Sequence, residues 1–169
     1  MRIFGLAGWS GSGKTTLMTA LIPELVSRGI TVSTLKHAHH AFDVDQPGKD
    51  SWRHRQAGAR EVMICSENRW ALMHELRGAP EPSFEELVRR MSPVDLLLVE
   101  GFKRHPHPKI EVHRRSLGKP LLYPEDPFVV AIASDEVLLE LPLPCLPLSD
   151  EGAIATFILA QVKGDRWPS

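Results

Sequence analysis

Residues 8–15 read Gly-Trp-Ser-Gly-Ser-Gly-Lys-Thr, the spacing G-x-x-x-x-G-K-[ST] of a Walker A loop. The backbone N–H groups of such a loop surround the phosphates of a nucleotide. An apolar run at 2–7 predicts a buried strand before the loop, and apolar residues at helical spacing predict a helix after it. A helix N-terminus favours negative charge, so we expect phosphates to bind here. The expected phosphate-binding residues are Gly8, Ser10, Gly11, Ser12, Gly13, Lys14, Thr15 and Thr16.

The length and composition are those of one globular domain. The chain has 169 residues, of which 43% are hydrophobic and 24% charged, which is neither disordered nor membrane-spanning. Its net charge of −1 gives no sign of a nucleic-acid-binding face. The first apolar run leads straight into the glycine-rich loop, so we interpret it as a strand and not as a signal peptide. We expect residues 1–169 to form a single nucleotide-binding domain in the cytoplasm, without a nucleic-acid or membrane partner. The two cysteines, Cys65 and Cys145, are predicted to be reduced core residues, with a disulfide between them as the alternative.

Strands and helices alternate along the rest of the chain. The apolar run at 94–99 predicts a central parallel strand that is buried on both faces. The other predicted elements are strands at 30–35, 110–113 and 128–133, a hairpin at 61–65 and 70–74, and helices near 14–28, 51–57, 83–91 and 150–163. This alternation predicts an α/β three-layer sandwich with a mostly parallel central sheet, the P-loop NTPase fold. Ligands of such sheets bind beyond the carboxyl ends of the strands.

An acidic residue follows the apolar run at 94–99. Glu100, with Gly101 behind it, gives this segment the form of a Walker B element. The carboxylate of such an element holds Mg²⁺, directly or through water, beside the hydroxyl of Thr15. Gly101 allows the backbone to approach the ligand closely. Alternatively, Glu100 is simply the polar residue at which the strand leaves the core.

A polar loop of about fifteen residues, 36–50, is unusually long for a purely structural connection. Its position suits a switch loop that meets Mg²⁺ and the γ-phosphate. Asp43 and Asp45 are candidates for binding Mg²⁺ or orienting water, and Lys36 is a candidate for reaching phosphate. An alternative use of this region is a zinc or nickel site. Its candidate ligands are His37, His39, His40 and His54.

Asp135 follows the predicted strand at 128–133. A carboxylate there can accept both the N1–H and the N2–H₂ of guanine, a donor pair that adenine lacks. Ser134 and Asp135 are equally suited to capping a helix over 136–141. Asp135 is therefore a candidate guanine reader, with the capping role as the alternative.

Three blocks of sequence together resemble the molybdopterin-guanine dinucleotide biosynthesis adaptor family, MobB. They are residues 8–15, the segment 35–59 with Phe-Asp-Val-Asp and Pro-Gly-Lys-Asp-Ser, and Asp-Leu-Leu-Leu-Val-Glu-Gly-Phe-Lys at 95–103. The resemblance extends from the first strand to the Ala-Ser-Asp at 133–135. It implies a weak GTPase that uses GTP with Mg²⁺, forms a homodimer and assists the conversion of molybdopterin to molybdopterin guanine dinucleotide. It also implies a partnership with the guanylyltransferase that attaches GMP to molybdopterin.

The expected chemistry is the positioning and neutralisation of phosphates. Lys14 would bridge the β- and γ-phosphates, Thr15 and Glu100 would hold Mg²⁺, and Asp45 would bind Mg²⁺ or orient water. No arginine stands out as a catalytic finger, so hydrolysis is expected to be slow without a partner. The arginines that remain candidates are Arg53, Arg55 and Arg104.

Two other functions remain as alternatives. A small-molecule kinase would need a lid, for which 77–82 is short. A GTP-dependent metallochaperone would use the histidine-rich loop as its metal site.

The basic stretch after the Walker B strand is either a solvated loop or a contact for the pterin phosphate or an acidic partner. Its members are Lys103, Arg104, His105, His107, Lys109 and Arg114.

Overall fold

The structure, a computed structural model, describes residues 1–38, 42–138 and 140–162. Its contacts divide the chain into two units. Unit 1 comprises Met1–His37 and Met91–Ser169, and unit 2 comprises Ala38–Arg90. The strands are β1 (Arg2–Ala7), β2 (Val32–Lys36), β3 (Glu61–Cys65), β4 (Trp70–His74), β5 (Leu96–Glu100), β6 (Lys109–His113), β7 (Val129–Ser134) and β8 (Cys145–Pro147). The helices are α1 (Lys14–Ser27), α2 (Asp50–Gln56), α3 (Phe84–Arg89) and α4 (Glu151–Gln161), with a short 3₁₀ turn at Arg115–Leu117.

A six-stranded sheet forms the centre of unit 1, in the order β2-β5-β1-β6-β7-β8. Every neighbouring pair in it is parallel. All six carboxyl ends therefore lie along one edge of the sheet, where the loop after β1 begins. The predicted α/β fold with a mostly parallel central sheet is confirmed.

One face of this sheet packs against α1 and α4. Alternate residues of the central strands point into this core, and they are fully buried at Phe4, Leu6 and Leu98. The helices contribute further buried side chains, among them Leu21 and Ile154. Each such side chain stabilises the fold by roughly 1.5–3 kcal/mol. The core thereby fixes β1 and α1, the two elements that flank the glycine-rich loop.

The opposite face of the sheet carries buried charge. Lys109 is 1% exposed, and its ammonium donates to Lys103 O (2.8 Å), His105 O (2.9 Å) and Asp126 Oδ2 (2.9 Å). Glu111 is fully buried and accepts from the N–H groups of residues 122 and 123, at 2.8 and 3.0 Å. Burial raises the pKa of the Glu111 carboxyl, and these two hydrogen bonds oppose that rise. The bonds hold the non-helical segment 119–128 against this face.

Unit 2 contains α2, α3 and a separate antiparallel hairpin formed by β3 and β4. The hairpin pairs Glu61 with His74 and Cys65 with Trp70. α3 begins with a capping box: Ser83 Oγ accepts from the Glu86 N–H, and the Glu86 carboxylate accepts from the Ser83 N–H. This satisfies two N–H groups that would otherwise lack partners at the start of a short helix.

The predicted elements agree with the structure to within a few residues at their ends, and the hairpin has the predicted bounds. β5 continues through Glu100, because its ladder with β2 pairs Lys36 with Glu100. One prediction about a single residue is wrong, and one of the two interpretations of the basic stretch does not hold for Lys109. Cys65 is exposed on the hairpin and is not a core residue, although it and the half-buried Cys145 are both free thiols. Lys109 does not belong to a solvated basic loop, because strand alternation turns it toward Asp126. None of the described helices is long and apolar enough to cross a membrane.

Candidate functional site

The loop between β1 and α1 is shaped by glycines at which no other residue fits. Gly8 has φ 144°, and a Cβ there would lie 2.5 Å from Val112 O and 2.7 Å from Ser12 Oγ. Gly13 has φ 98° and precedes α1 directly, without a side chain that could cap the helix. The first N–H groups of α1 are therefore left for an external acceptor, and the helix dipole favours an anionic one.

This loop surrounds a cavity of about 400 Å³ within unit 1. Such a volume lies in the range of small-molecule binding sites. Six of the eight predicted phosphate-binding residues line it, together with Lys36 and Glu100. The six are Ser10, Gly11, Gly13, Lys14, Thr15 and Thr16. Ser12 is 1% exposed and does not line this cavity, and its Oγ has no hydrogen-bond partner among the described residues.

Lys14 lies on the inner side of the loop. Its ammonium donates to Gly8 O (3.0 Å) and Trp9 O (2.8 Å). Burial lowers the pKa of Lys14; Glu100 acts in the opposite direction, and the nearby cations Lys103 and Lys36 lower the pKa further. A polyphosphate in the cavity would favour the charged form, so this cation is suited to an anionic ligand.

Glu100 lies between a hydroxyl and a second cation. Thr15 Oγ1 donates to Glu100 Oε1 at 2.9 Å, and Lys36 Nζ is 3.3 Å from the same oxygen. The sheet register causes this arrangement, since Glu100 pairs with Lys36 on one side and with Leu6 on the other. One hydroxyl and one carboxylate fit Mg²⁺, which takes oxygen ligands and usually completes its shell with water and substrate phosphates.

Gly101 and the residues beside it form a tight turn after β5. Gly101 has φ 93°, and a Cβ there would lie 3.0 Å from the Cβ of His37. The close approach at Gly101 is therefore between the turn after β5 and His37, the residue that follows β2. The ring of His37 packs against Phe102, with 4.8 Å between ring centroids.

Arg114 is a candidate residue whose place the sequence analysis did not foresee. Its Nε donates to Ser12 O at 3.2 Å, and its Nη1 donates to Asp135 Oδ2 at 3.0 Å. It directly follows β6, the neighbour of β1 in the sheet. A basic residue at the carboxyl end of a late strand is the signal that would have identified it, since those ends converge on the phosphate loop.

Asp135 follows β7 at the same edge of the sheet. It lines a smaller cavity of about 130 Å³ with residues that follow β7 and with β8. No helix begins in the described part of 136–141, so the helix-capping alternative is not confirmed. Ser134 Oγ instead accepts from the Glu136 N–H at 3.2 Å, which closes a turn. The structure therefore leaves the Asp135 carboxylate at a cavity, bonded to Arg114.

The outer rim of the loop is cationic. Trp9 donates its indole N–H to Pro120 O at 2.8 Å. Lys103 Nζ lies 4.9 Å and Lys119 Nζ 5.7 Å from the centroid of the same indole. The predicted basic stretch is thus divided: Lys103 lies on Trp9, Lys109 is buried on the sheet and Arg114 reaches the phosphate loop.

Asp45 belongs to unit 2, where other side chains bind it. Its carboxylate is 5% exposed and accepts from Ser51 Oγ (2.7 Å) and Arg55 Nε (3.2 Å). Arg55 also pairs with Asp43 and Glu75, at 2.8 and 2.9 Å. The Arg55 guanidinium lowers the pKa of the Asp43 carboxyl. The role of Asp45 toward Mg²⁺ or water stays a prediction, while Arg55 is bound by three carboxylates and is a poor candidate for a finger.

The histidine-rich loop is described only in part. His39 and His40 lie outside the described residues. Within the part that the structure describes, no three His, Cys, Asp or Glu side chains form a group able to hold a metal ion. The zinc or nickel alternative therefore gains no support from His37 and His54.

Arg77 belongs to the segment 77–82, which was considered as a kinase lid. It donates to Arg55 O (2.7 Å) and Ala59 O (3.1 Å).

Comparison with known proteins gives consistent matches over most of the chain. The family model described as "Molybdopterin guanine dinucleotide synthesis protein B" matches residues 3–135. A relative from Haemophilus influenzae is 46% identical over 160 residues, which cover 92% of this chain and 86% of that protein. One from Escherichia coli (strain K12) is 44% identical over 160 residues, covering 93% and 91%. Both are named "Molybdopterin-guanine dinucleotide biosynthesis adapter protein".

Solved structures share the fold. A crystal structure titled "molybdopterin-guanine biosynthesis protein B (mobB)" is 27% identical, has a TM-score of 0.74 and covers 94% of this chain and 99% of its own. The crystal structure of Bacillus subtilis MobB has the same TM-score at 24% identity, covering 98% and 100%. The family expected from the three sequence blocks is thereby confirmed: the chain belongs to the molybdopterin guanine dinucleotide synthesis protein B (MobB) family.

Proposed function

We propose that this chain is a GTP-binding adapter in molybdenum cofactor biosynthesis, which assists the conversion of molybdopterin to molybdopterin guanine dinucleotide. The names of its two bacterial relatives support the adapter role. The single observation that carries the nucleotide assignment is that Lys14, Thr15 and Glu100 line one cavity at an uncapped helix N-terminus. The cytoplasmic location stays a prediction.

In this proposal each residue of the cavity has a separate task. The N–H groups of Gly11 and of residues 13–15 bind phosphate oxygens, while the Ser12 N–H donates to Trp9 O at 3.2 Å. Lys14 leaves Gly8 O and Trp9 O to bridge the β- and γ-phosphates. Thr15 and Glu100 would hold Mg²⁺, which would neutralise charge on the phosphates. Lys36, which lies 3.3 Å from the same carboxylate and lines the cavity, would contact a phosphate oxygen. Slow intrinsic hydrolysis is consistent with the engagement of Arg55 by Asp43, Asp45 and Glu75.

The preference for guanine is assigned to Asp135. Its carboxylate would accept from both donors of the guanine edge, whereas adenine presents an acceptor at N1 that the carboxylate repels. The cavity of about 130 Å³ beside Asp135 supports this, because Val137, Leu146 and Pro147 give it an apolar lining for a base.

The proposed second ligand is molybdopterin, and the proposed protein partner is the guanylyltransferase that attaches GMP to it. The cationic rim formed by Trp9, Lys103 and Lys119 supports an anionic ligand beside the nucleotide. Of the basic stretch, Lys103 is the residue best placed for the pterin phosphate, since Lys109 is buried.

A homodimer is supported by an apolar face on the hairpin of unit 2. Direct cross-strand pairing puts Met63 beside Leu72 and Cys65 beside Trp70 on one face of this hairpin. Met63 is 62%, Leu72 45% and Trp70 64% exposed. An exposed apolar face on a two-stranded sheet is a common site of association. We propose that a second copy of this chain covers it.

Lys14→Ala should weaken GTP binding by about 100-fold or more, because it removes two charge-assisted hydrogen bonds worth roughly 1.5–3 kcal/mol each. The measurement is calorimetric titration of wild type and variant with GTP and with ATP in the presence of Mg²⁺. Arg28→Ala is the matched control, since it removes a positive charge beyond the other end of α1. Equal GTP affinity in wild type and Lys14→Ala would contradict the phosphate site.

Glu100→Gln should weaken GTP binding about tenfold in Mg²⁺ and leave it unchanged or slightly tighter in EDTA. The neutral amide is a weaker Mg²⁺ ligand than the carboxylate. In the absence of Mg²⁺, the substitution only removes a negative charge beside the phosphates. The same titration run in both conditions measures the difference. A loss of equal size with and without Mg²⁺ would show that Glu100 does not act through the metal.

Leu72→Lys should raise the dimer dissociation constant about tenfold or more, because it puts a charge at the centre of the proposed interface, where a hot-spot residue contributes about 2 kcal/mol. Sedimentation equilibrium of wild type and variant measures it. Val26→Lys serves as the control, because Val26 is a comparably exposed apolar residue on α1. A monomeric wild type, or an unchanged dimer in Leu72→Lys, would refute this interface.

A further inference from the structure

Arg114 is bonded to residues beside two cavities of unit 1. On one side its Nε donates to Ser12 O in the phosphate loop, and its side chain packs against Gly13, which lines the cavity of about 400 Å³. On the other side its Nη1 donates to Asp135, which lines the cavity of about 130 Å³. No other side chain of the described residues is hydrogen-bonded to both the loop and Asp135.

The guanidinium has donors left for a ligand. An arginine carries five N–H groups, and two of those of Arg114 are used in these bonds. Among the described residues nothing accepts from the other three. Nη2 lies 3.5 Å from the point that a Cβ on Gly13 would occupy, so this nitrogen is next to a residue that lines the phosphate cavity.

The Asp135 carboxylate can accept hydrogen bonds from Arg114 and from a base at the same time. Each carboxylate oxygen accepts more than one hydrogen bond, and in the described part of the chain Oδ1 accepts none and Oδ2 accepts from Arg114. The N1–H and N2–H₂ of a guanine can therefore reach both oxygens while Arg114 holds Oδ2 in place. The arginine also neutralises a carboxylate that would otherwise repel the phosphates.

We propose that Arg114 binds the phosphate chain of the nucleotide through Nη2 and positions Asp135 for the base, so that one guanidinium couples phosphate binding to guanine recognition. This specificity-determining role rests on the proposed function of the cavity. The chemistry that Arg114 recognises is a guanosine polyphosphate: an anion on the loop side and a purine with two adjacent donors on the Asp135 side.

The experiment compares wild type, Arg114→Gln, Arg114→Lys and Asp135→Asn in titrations with GTP, ATP and inorganic tripolyphosphate, all with Mg²⁺. Arg114→Gln should bind tripolyphosphate about tenfold more weakly, and its preference for GTP over ATP should fall although Asp135 is still present. Arg114→Lys should recover part of the tripolyphosphate affinity but not the base preference, because an ammonium lacks the fork that spans Ser12 O and Asp135. Asp135→Asn should lose the base preference while binding tripolyphosphate at least as tightly as wild type.

Arg115→Gln is the matched control. Arg115 is the next residue and carries the same charge, but its side chain is 75% exposed and pairs with Glu136 at 3.4 Å. Thermal unfolding of each variant confirms that it is folded. The coupling is overturned if Arg114→Gln behaves like Arg115→Gln, or if either its tripolyphosphate affinity or its base preference equals that of wild type. A wild type that binds neither GTP nor tripolyphosphate would instead refute the proposed function itself, which separates the two failures.

Discussion

The parallel direction of all six strands in unit 1 is the constraint from which the site follows. It places the ends of β1, β2, β5, β6 and β7 along one edge of the sheet, so that residues far apart in the chain become neighbours. Glu100 lies between Lys36 and Leu6 because of the register of β5 with β2 and β1. The hydrogen bond from Thr15 to Glu100 joins the first turn of α1 to this edge. A different register would separate the hydroxyl from the carboxylate.

The side chains that a nucleotide would contact are bonded to other groups of the protein in this structure. Lys14 donates to two carbonyl oxygens of its own loop, Lys36 pairs with Glu100, and Arg114 pairs with Asp135. The bonds of Lys14 satisfy a cation at a partly buried position, and the ion pair with Lys36 compensates the buried carboxylate of Glu100. When a nucleotide binds, these side chains would exchange their protein partners for phosphates, Mg²⁺ and the guanine edge. Few polar groups would be left without a partner, which reduces the free-energy cost of desolvation on binding.

The sequence predicts the local features of the site well and the long-range ones poorly. The contact between Thr15 and Glu100 spans 85 positions and depends on the sheet register. Residues 8–15 and Glu100 are nevertheless identified as candidates from the sequence, because the signals themselves, the loop spacing and an acid after an apolar run, lie in neighbouring residues. The hairpin is predicted with its bounds for the same reason. Arg114 is different: its bond to Ser12 spans 102 positions and depends on which strand lies beside β1, which no local pattern encodes. The basic neighbours of Lys109 indicate a loop, and only the strand shows that its ammonium pairs with Asp126. The apolar neighbours of Cys65 indicate a core position, although the hairpin exposes it.

The central claim is that the main chain at the start of α1 binds a triphosphate. Amide chemical shifts in ¹⁵N–¹H NMR spectra test it most directly, because the nucleotide would hydrogen-bond to those N–H groups themselves. On addition of GTP and Mg²⁺ we expect large shifts for Gly11, Gly13, Lys14 and Thr15, and none for Gly152 at the start of α4. Unmoved resonances at the α1 start, or equal shifts at both helix starts, would contradict it.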